Sequence, residues 1–518
     1  MTQKTIHLAF ALPGSGKTHK FLQTAKELIN ADKKIILVLP TNMLADEIMQ
    51  RMPSDVNATR IDSTTRNRAN VIRMLDEALA PTSGEKFIIC QHATFDKCSQ
   101  DHLKDWIVVV DETPAILDLK HHTFKASQFG HVKYIECVNG LVRIKGGMRN
   151  KILMEIQSYR SSKSNRSTKI ASTLSDDVYD IYDALINGYM VLVDENSNLG
   201  AACQNDKRTV RIINERGFFT RFEVARETHL LTATIVGGLF DYYRVLNGFT
   251  YSKSMFTPPC RSVFPLVRVY PMLLPGVVFS KTLADSESES HPNLKNLTVM
   301  INRIVNHMGE DKILLFTHSW AHAPYGPSLI PCKYDSRGVD TLKRYNNAFT
   351  AIHGNPTPPE RRSLESLAQS HGTSLTTLLK AWEVTNKYEV IFQNVFRTSL
   401  RCMYRSDGAL IDAPTSEVRL FVPDYQTVEY LKNYLPEAIL DDSLAKSYRL
   451  EKTKGRTSHP NREKMVRMIK DGRSNKEIEA ETKLSRTIIC KERLVLGIPS
   501  RVKAIGGVIA NRRQSSNV

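Results

Sequence analysis

The sequence predicts an α/β protein built on mostly parallel sheets, and three observations lead there. Residues 1 to about 118 alternate short apolar runs with amphipathic helical spacing, as strands buried on both faces and joined by helices do. A second alternation of the same kind follows residue 297. A glycine-rich turn stands directly between the first apolar run and the first helical pattern. At 518 residues the chain is too long for one core, and roughly 150 residues per domain suggests three or four units.

Thr5-Ile6-His7-Leu8-Ala9-Phe10 reads as a buried strand, and Phe21, Leu22, Ala25, Leu28 and Ile29 recur at helical spacing behind it. Between them runs Ala11-Leu12-Pro13-Gly14-Ser15-Gly16-Lys17-Thr18. Its glycines let the backbone fold tightly and point N–H groups inward, Lys17 would reach the β- and γ-phosphates of ATP, and the Thr18 hydroxyl would hold Mg²⁺. The helix starting near Thr18 adds the positive end of its dipole. A plain glycine turn before a helix is the competing reading. The Gly16-Lys17-Thr18 ending and the flanking elements speak against it.

Further strands are expected at 34–39, 87–90 and 106–110. The last continues as Trp106-Ile107-Val108-Val109-Val110-Asp111-Glu112, an apolar run ending in two acids at the edge where parallel sheets keep their ligand crevice. Asp111 would coordinate Mg²⁺ through water, and Glu112 would orient and deprotonate the attacking water. From about 120 to 228 the pattern loosens into an insertion. Its Ser- and Lys/Arg-rich run at 158–166 is read as a solvated loop, with phosphate contact as the alternative. The core pattern returns at 229–231, the polar stretch at 285–290 looks like a linker, and the second alternation offers strands at 312–316, 349–353 and 418–422.

Several segments resemble motifs of superfamily-2 helicases. Asp111-Glu112-Thr113-Pro114 resembles their DExx motif II, Pro40-Thr41-Asn42-Met43-Leu44-Ala45 is similar to the PTxxLA motif Ia that holds one nucleic-acid strand, and Thr232-Ala233-Thr234 resembles the S/T-A-T motif III that links hydrolysis to strand movement. Gln393, Arg397 and Arg401 are spaced by four in a segment that can be helical, and four residues turn a helix by about 400°, so the three would share one face. An ATPase at an interlobe cleft needs such an arginine on its second lobe to stabilise the transferring phosphoryl group. The segment resembles motif VI, with Phe396 in place of its glycine and the arginines one residue farther apart. Ser336-Arg337-Gly338-Val339-Asp340 looks like motif V, with Gly338 and Asp340 at the matching positions. The resemblance spans residues 5 to 405, and the stretch between Glu112 and Thr232 has no counterpart in it.

What the resemblance implies is two RecA-like P-loop NTPase lobes. The first would cover 1–284 with its insertion at about 120–228, and the second would cover 297–450 after a linker at 285–296. Residues 455–505 read as three short helices similar to resolvase-like helix-turn-helix domains, followed by a flexible tail at 506–518. Met465, Val466, Met468 and Ile469 give the first helix an apolar face, Ser474 can cap the second, and Ser485 can cap a third with Ile488, Ile489 and Leu494 inward and Arg486, Lys491 and Arg493 outward. Ser485, Arg486, Thr487 and Lys491 would then meet a DNA major groove. Glu479 and Lys483 depart from that family, whose pattern has a small residue and a glycine there. A plain three-helix interaction module is the alternative.

Composition fits a polyanionic partner. The formal net charge is +17 and the pI near 9.4, and residues 451–518 alone hold 17 Lys or Arg against 7 Asp or Glu. Eight cysteines without a CxxC pair argue against a zinc site or a disulfide framework, and Cys90-Gln91-His92 and His121-His122 have no second pair at ligand spacing. With no signal-like or membrane-spanning run, a reducing cytoplasmic setting is expected. Taken with the resemblance, the sequence points to an ATP-dependent DNA helicase or translocase of phage or mobile-element type, serving replication or recombination. Single-stranded DNA would lie on the motor and duplex at the terminal module. A DNA-packaging ATPase and a nucleotide-switched DNA-binding regulator are the rivals.

Overall fold

The computed structural model describes residues 4–53, 56–63, 71–125, 134–164, 174–193, 207–259, 265–321, 326–334, 341–401, 416–448 and 461–495. They fall into two compact units, Met1–Tyr448 and Arg449–Val518.

The first unit opens with strands β1 (Thr5–Phe10), β2 (Lys34–Leu39), β3 (Thr59–Ile61), β4 (Phe87–Gln91) and β5 (Trp106–Asp111). An excursion then builds β6 (Leu117–Lys125), β7 (Ile135–Val138), β8 (Leu141–Ile144), β9 (Met190–Val193) and β10 (Lys207–Glu215). The chain returns as β11 (Glu227–Thr232) and β12 (Thr250–Lys253), then continues as β13 (Val267–Pro271), β14 (Ile313–Thr317), β15 (Leu329–Cys332), β16 (Asn347–Ala351), β17 (Val418–Val422) and β18 (Ile439–Leu440).

The first sheet is parallel, in the order β12-β1-β11-β5-β2-β4-β3. Its central strands are apolar at nearly every position because both faces are covered. Ile35, Leu37 and Leu39 point to one face, where they meet Phe21, Leu22 and Ala25 of helix Lys17–Asn30. Ile36 and Val38 point to the other. The strands expected at 6–10, 34–39, 87–90, 106–110 and 229–231 are all present, shifted by a few residues at most.

His229 on β11 is 1% exposed; it stacks on His7 of β1 at 4.8 Å and shares a hydrogen bond with Ser254. Burial, then repulsion from His7, pushes its pKa down to about 4. The unfolded imidazole titrates near 6.5. Its stabilising contribution is therefore complete above that value and is lost as pH falls toward the folded value, because the unfolded chain takes up the proton first. Acidification from about pH 7.5 to about pH 5 should cost about 2 kcal/mol of stability through this one group. Thermal unfolding of His229→Gln across that range should show a flatter acid slope than the parent; an identical slope would contradict the assignment.

The excursion is an antiparallel sheet in the order β6-β10-β9-β8-β7. Helices Arg149–Ser164 and Asp176–Ile186 cover one face, where Ile152, Ile156, Ile181 and Tyr182 meet Phe124, Val210 and Ile212. Residues 158–164 of the basic run are thus helical rather than loop. Arg160 bonds Asp183 at 2.7 Å and Tyr179 at 3.0 Å, and Lys163 bonds Asp176 at 3.0 Å, so these two charges have intrachain acidic partners.

The second sheet is also parallel, in the order β15-β14-β16-β17-β13-β18. The strands expected at 312–316, 349–353 and 418–422 appear in it as β14, β16 and β17. The two parallel sheets with their helices are the two α/β lobes that the sequence predicts. The boundary differs, however. β13 already pairs with β17, so the chain enters the second lobe before residue 267 and the expected linker at 285–296 lies inside that lobe. There Ser286 and Ser288 are buried, Ser288 N–H donates to the Leu294 carbonyl, and Lys295 bonds Asp285 at 2.8 Å. A polar composition looks the same in a free linker and in a turn whose polar groups are all paired.

One segment crosses between the lobes. Helix Pro358–Ser370 follows β16 but seats Leu364, Leu367 and Ala368 against the open face of the excursion sheet, while Leu378 and Ala381 of helix Leu375–Glu383 meet Leu239, Phe240 and Tyr243 of the first lobe. His371 bonds Glu215 of β10 at 2.8 Å through one ring nitrogen and the Tyr242 hydroxyl at 3.0 Å through the other.

In the second unit, helices Arg462–Lys470, Asn475–Thr482 and Arg486–Val495 enclose Met465, Ile469, Ile478, Leu484 and Ile489. Ser474 caps the middle helix in a reciprocal pair with Glu477. Lys483 has φ 55°, the left-handed conformation for which glycine is favoured. The last helix is turned relative to expectation. Ile489 and Arg493 share its inner face, so Ile488 is 45% exposed while Arg493 is buried, bonded to Asn475 at 2.8 Å and to the Arg473 carbonyl. Among the described residues no helix is long and apolar enough to cross a membrane.

Candidate nucleotide-binding site

β1 ends at Phe10, and the loop after it turns back on itself to start helix Lys17–Asn30. Gly14 and Gly16 have φ of 78° and 85°. A side chain at Gly16 would meet no neighbour, so backbone conformation rather than space demands glycine there. Lys17 Nζ donates to the carbonyls of Ala11 (2.6 Å) and Leu12 (3.1 Å), and Ser15 Oγ donates to the Leu12 carbonyl. Ala11 N–H donates to the Thr232 carbonyl, which joins the loop to the end of β11.

Asp111 closes β5 at 5% exposure and accepts a hydrogen bond from Thr18 Oγ1 at 3.0 Å. Burial and the neighbouring Glu112 carboxylate raise its pKa to about 6, while Lys17 and Thr18 pull it back. The pair of hard oxygens on Thr18 and Asp111 suits Mg²⁺. Glu112 has φ 62°, uncommon for a side-chain-bearing residue, and is held there by its N–H donating to the Leu231 carbonyl at 2.9 Å. Its Oε2 is buried and has no hydrogen-bond partner among the described residues. Backbone strain beside such a carboxylate oxygen makes Glu112 a candidate functional residue.

Thr113 joins this strand end to the Thr232-Ala233-Thr234 turn. The Thr113 and Thr232 hydroxyls are 2.9 Å apart, and the Thr234 carbonyl lies 3.1 Å from the first and 2.8 Å from the second. His92 reaches the Asp111 carbonyl at 3.0 Å.

The second lobe supplies the opposite wall. Helix Leu375–Glu383 runs through a π-helical turn, Val384–Tyr388, into helix Glu389–Val395. A cleft separates Glu112, Thr113, Thr232 and Thr234 from Trp382, Thr385, Asn386, Glu389 and Gln393. The walls touch where Leu239 N–H donates to Thr385 Oγ1 at 2.8 Å. A Cβ on the preceding Gly238 would fall 2.9 Å from both Thr385 Oγ1 and Glu389 Oε1, so this approach requires glycine. Leu12 of the loop packs against the second lobe's core, and Phe10 lies 6.2 Å from Tyr434.

Of the residues singled out in the sequence, Glu112, Thr232, Thr234 and Gln393 line this cleft, and the 11–18 loop lies against its first wall through the Thr18–Asp111 and Ala11–Thr232 hydrogen bonds. The structure does not place Gln393, Arg397 and Arg401 on one helix face. The helix ends at Val395; Arg397 is buried within the second lobe, Arg401 is half-buried, and neither lines the cleft. Buried Phe396 and Leu400 pull the chain into the lobe's core, which breaks the four-residue repeat. Thr41 spends its hydroxyl capping helix Asn42–Arg51, accepting from Leu44 N–H at 3.2 Å, and Asn42 accepts from the Gln91 amide, while Pro40 precedes them on the turn out of β2. Gly338 and Asp340 lie outside the described residues. In the second unit Ser485 accepts the first helical N–H bonds through its carbonyl, Arg486 and Thr487 are exposed, and Lys491 falls within the same helix. Among the described residues no cluster of three metal-ligating side chains occurs. Sequence reasoning named Thr113 only as part of the DExx-like motif, without a role of its own, and passed over Gly238, Thr385 and Glu389, which become neighbours only through tertiary contact.

No family model matches the chain, and no curated protein does. Among solved structures it is similar to Xpd4 of S. tokodaii, at 10% identity over 85% of this chain and 96% of that one, with a TM-score of 0.43. An XPD helicase gives 12% identity over 84% and 96%, with a TM-score of 0.41. Dbp5 of S. cerevisiae, bound to RNA and ADP BeF3, gives 11% identity over 85% of each chain and a TM-score of 0.31.

Proposed function

We propose that this chain is an ATP-driven helicase or translocase of the superfamily-2 kind that acts on DNA. The observation that carries the reading is the cleft itself: Glu112 of one lobe lines it opposite Gln393 and Glu389 of the other, next in sequence to Asp111 and its bond partner Thr18, with Leu12 of the phosphate-type loop packed on the second lobe's core. Lys17 would hold the β- and γ-phosphates of ATP, and Glu112 would orient the attacking water and take its proton on the unpartnered Oε2. Thr18 and Asp111 would hold Mg²⁺, which when bound neutralises charge on the phosphates. Arg397 and Arg401 are the second lobe's candidates for the cation that stabilises the transferring phosphoryl group, reached through closure of the cleft. The Thr113–Thr232–Thr234 triangle would pass that closure to the strand-binding edge, where Pro40, Thr41 and Asn42 would hold one nucleic-acid strand. Gly338 and Asp340 would join the same coupling. The second unit would tether duplex DNA through Ser485, Arg486, Thr487 and Lys491.

Steady-state ATP turnover with and without single-stranded DNA tests this, alongside strand displacement on duplexes with 3′ or 5′ tails. A several-fold rise with single strands and displacement of one tailed substrate are expected. Stimulation by duplex alone would favour a packaging motor, and turnover indifferent to DNA would favour a switch. Deleting residues 451–518 removes 17 basic residues and should weaken DNA affinity and flatten its salt dependence, since each neutralised phosphate contributes to the slope. Fluorescence anisotropy over a salt series measures both; unchanged affinity would remove the tether from this scheme.

A further inference from the structure

The carboxyl ends of β14, β15 and β16 carry a group of stacked rings, of which Tyr334 borders the cleft described above and the others do not line it. His318 follows β14, Tyr334 follows β15 and His353 follows β16. The His318 ring lies 4.4 Å from His353, 4.6 Å from Tyr334 and 5.7 Å from Trp320, nearly parallel to the last at 17°. Trp320 is also 5.8 Å from His353, and its ring carries the Lys281 ammonium at 5.2 Å. Trp320 is half-buried and Lys281 exposed.

Two features set this column apart from ordinary core. Both ring nitrogens of His353 are buried with no hydrogen-bond partner among the described residues. The backbone N–H of His353 donates to His318 Nε2 at 3.2 Å, which needs that nitrogen unprotonated. Burial pushes the His353 imidazole down to about 4 and lowers His318 as well, so both rings are neutral near pH 7 and offer π-faces rather than charge. The carboxyl edge of a parallel sheet is where such folds place ligands. Neutral stacked rings beside an exposed cation match the two surfaces of a single strand, its bases and its phosphates.

We propose that Trp320, backed by His318 and His353, is a base-stacking platform for single-stranded nucleic acid, with Lys281 moving from the indole face to an adjoining phosphate when a base arrives. This rests on the nucleic-acid reading of the preceding subsection. The chain has three tryptophans, of which Trp106 is fully buried and Trp382 lines the cleft, so Trp320 can report stacking by its fluorescence. Oligothymidylate should quench the full chain's emission, whereas an abasic deoxyribose-phosphate strand of equal length should not. Trp320→Phe should abolish the quench while anisotropy shows near-parental binding, because a ring remains. Trp320→Ala should weaken oligothymidylate binding on the order of tenfold. A quench that survives in Trp320→Phe, abasic strand bound as tightly as oligothymidylate, or unaltered affinity in Trp320→Ala would overturn the platform alone. Failure of the parent chain to bind oligothymidylate at all would overturn the motor reading with it. Should Trp320→Ala fail to fold, the Trp320→Phe and abasic comparisons still decide.

Discussion

Glu112→Gln should lower ATP turnover by about 10²–10⁴, the range for removal of a general base, while ATP still binds. The carboxylate sits at a left-handed backbone position, with Oε2 buried and unpartnered beside Asp111. Glutamine keeps the shape and hydrogen-bonding reach but cannot accept a proton. Lys17→Ala should act differently, because its ammonium leans on the loop carbonyls that a triphosphate would approach. It should lose nucleotide affinity as well as turnover. Equilibrium binding of a fluorescent ATP analogue together with single-turnover phosphate release separates the two defects. Parental turnover in both variants would refute the site.

The second large effect concerns stability. Lys387 lies in the π-helical turn at 1% exposure and bonds Asp424, itself at 0%, at 2.8 Å. Asp424 also accepts from Phe279 N–H at 3.0 Å, Thr427 N–H at 3.1 Å and the Thr427 hydroxyl at 2.8 Å, so it ties three segments of the second lobe together. Removing one partner of such a pair strands a buried charge, at a cost of about 3–5 kcal/mol. Asp424→Ala should show this in full, since it also uncaps helix Tyr425–Lys432. Lys387→Met leaves a carboxylate with backbone donors and should cost less. Urea unfolding of both, and of Lys387→Met combined with Asp424→Ala, measures the coupling. Additive losses in the combination would mean that the two side chains do not depend on each other.

The parallel strands were legible because burial on both faces leaves little but Val, Ile, Leu and Phe, and the loop because Gly14 and Gly16 occupy positions that only glycine adopts readily. The excursion was not. β6 mixes Lys120, His121 and His122 with Leu119 and Phe124, and its pairing with β10 joins residues some 90 positions apart, beyond local pattern. The arginine segment was misread because nothing at Phe396 signals a stop: the helix ends where side chains turn into the core, without glycine or proline. The last helix of the second unit was misphased for a related reason. Arg493 is polar yet faces inward, satisfied by Asn475 and the Arg473 carbonyl, and periodicity takes no account of such hydrogen bonds. Around the cleft, residues contiguous in sequence were found, and those meeting only across it, Thr385 with Leu239 and Glu389 with Gly238, were not.

Helix Pro358–Ser370 leaves the second lobe to lie on a sheet inserted between the strand bearing Asp111 and the turn bearing Thr232. The two lobes are therefore joined through that crossbar as well as where Leu12 of the glycine-rich loop packs on the second lobe's core. A rigid swing of one lobe against the other would load the inserted sheet, whose two roots are the strand bearing Asp111 and the turn bearing Thr232.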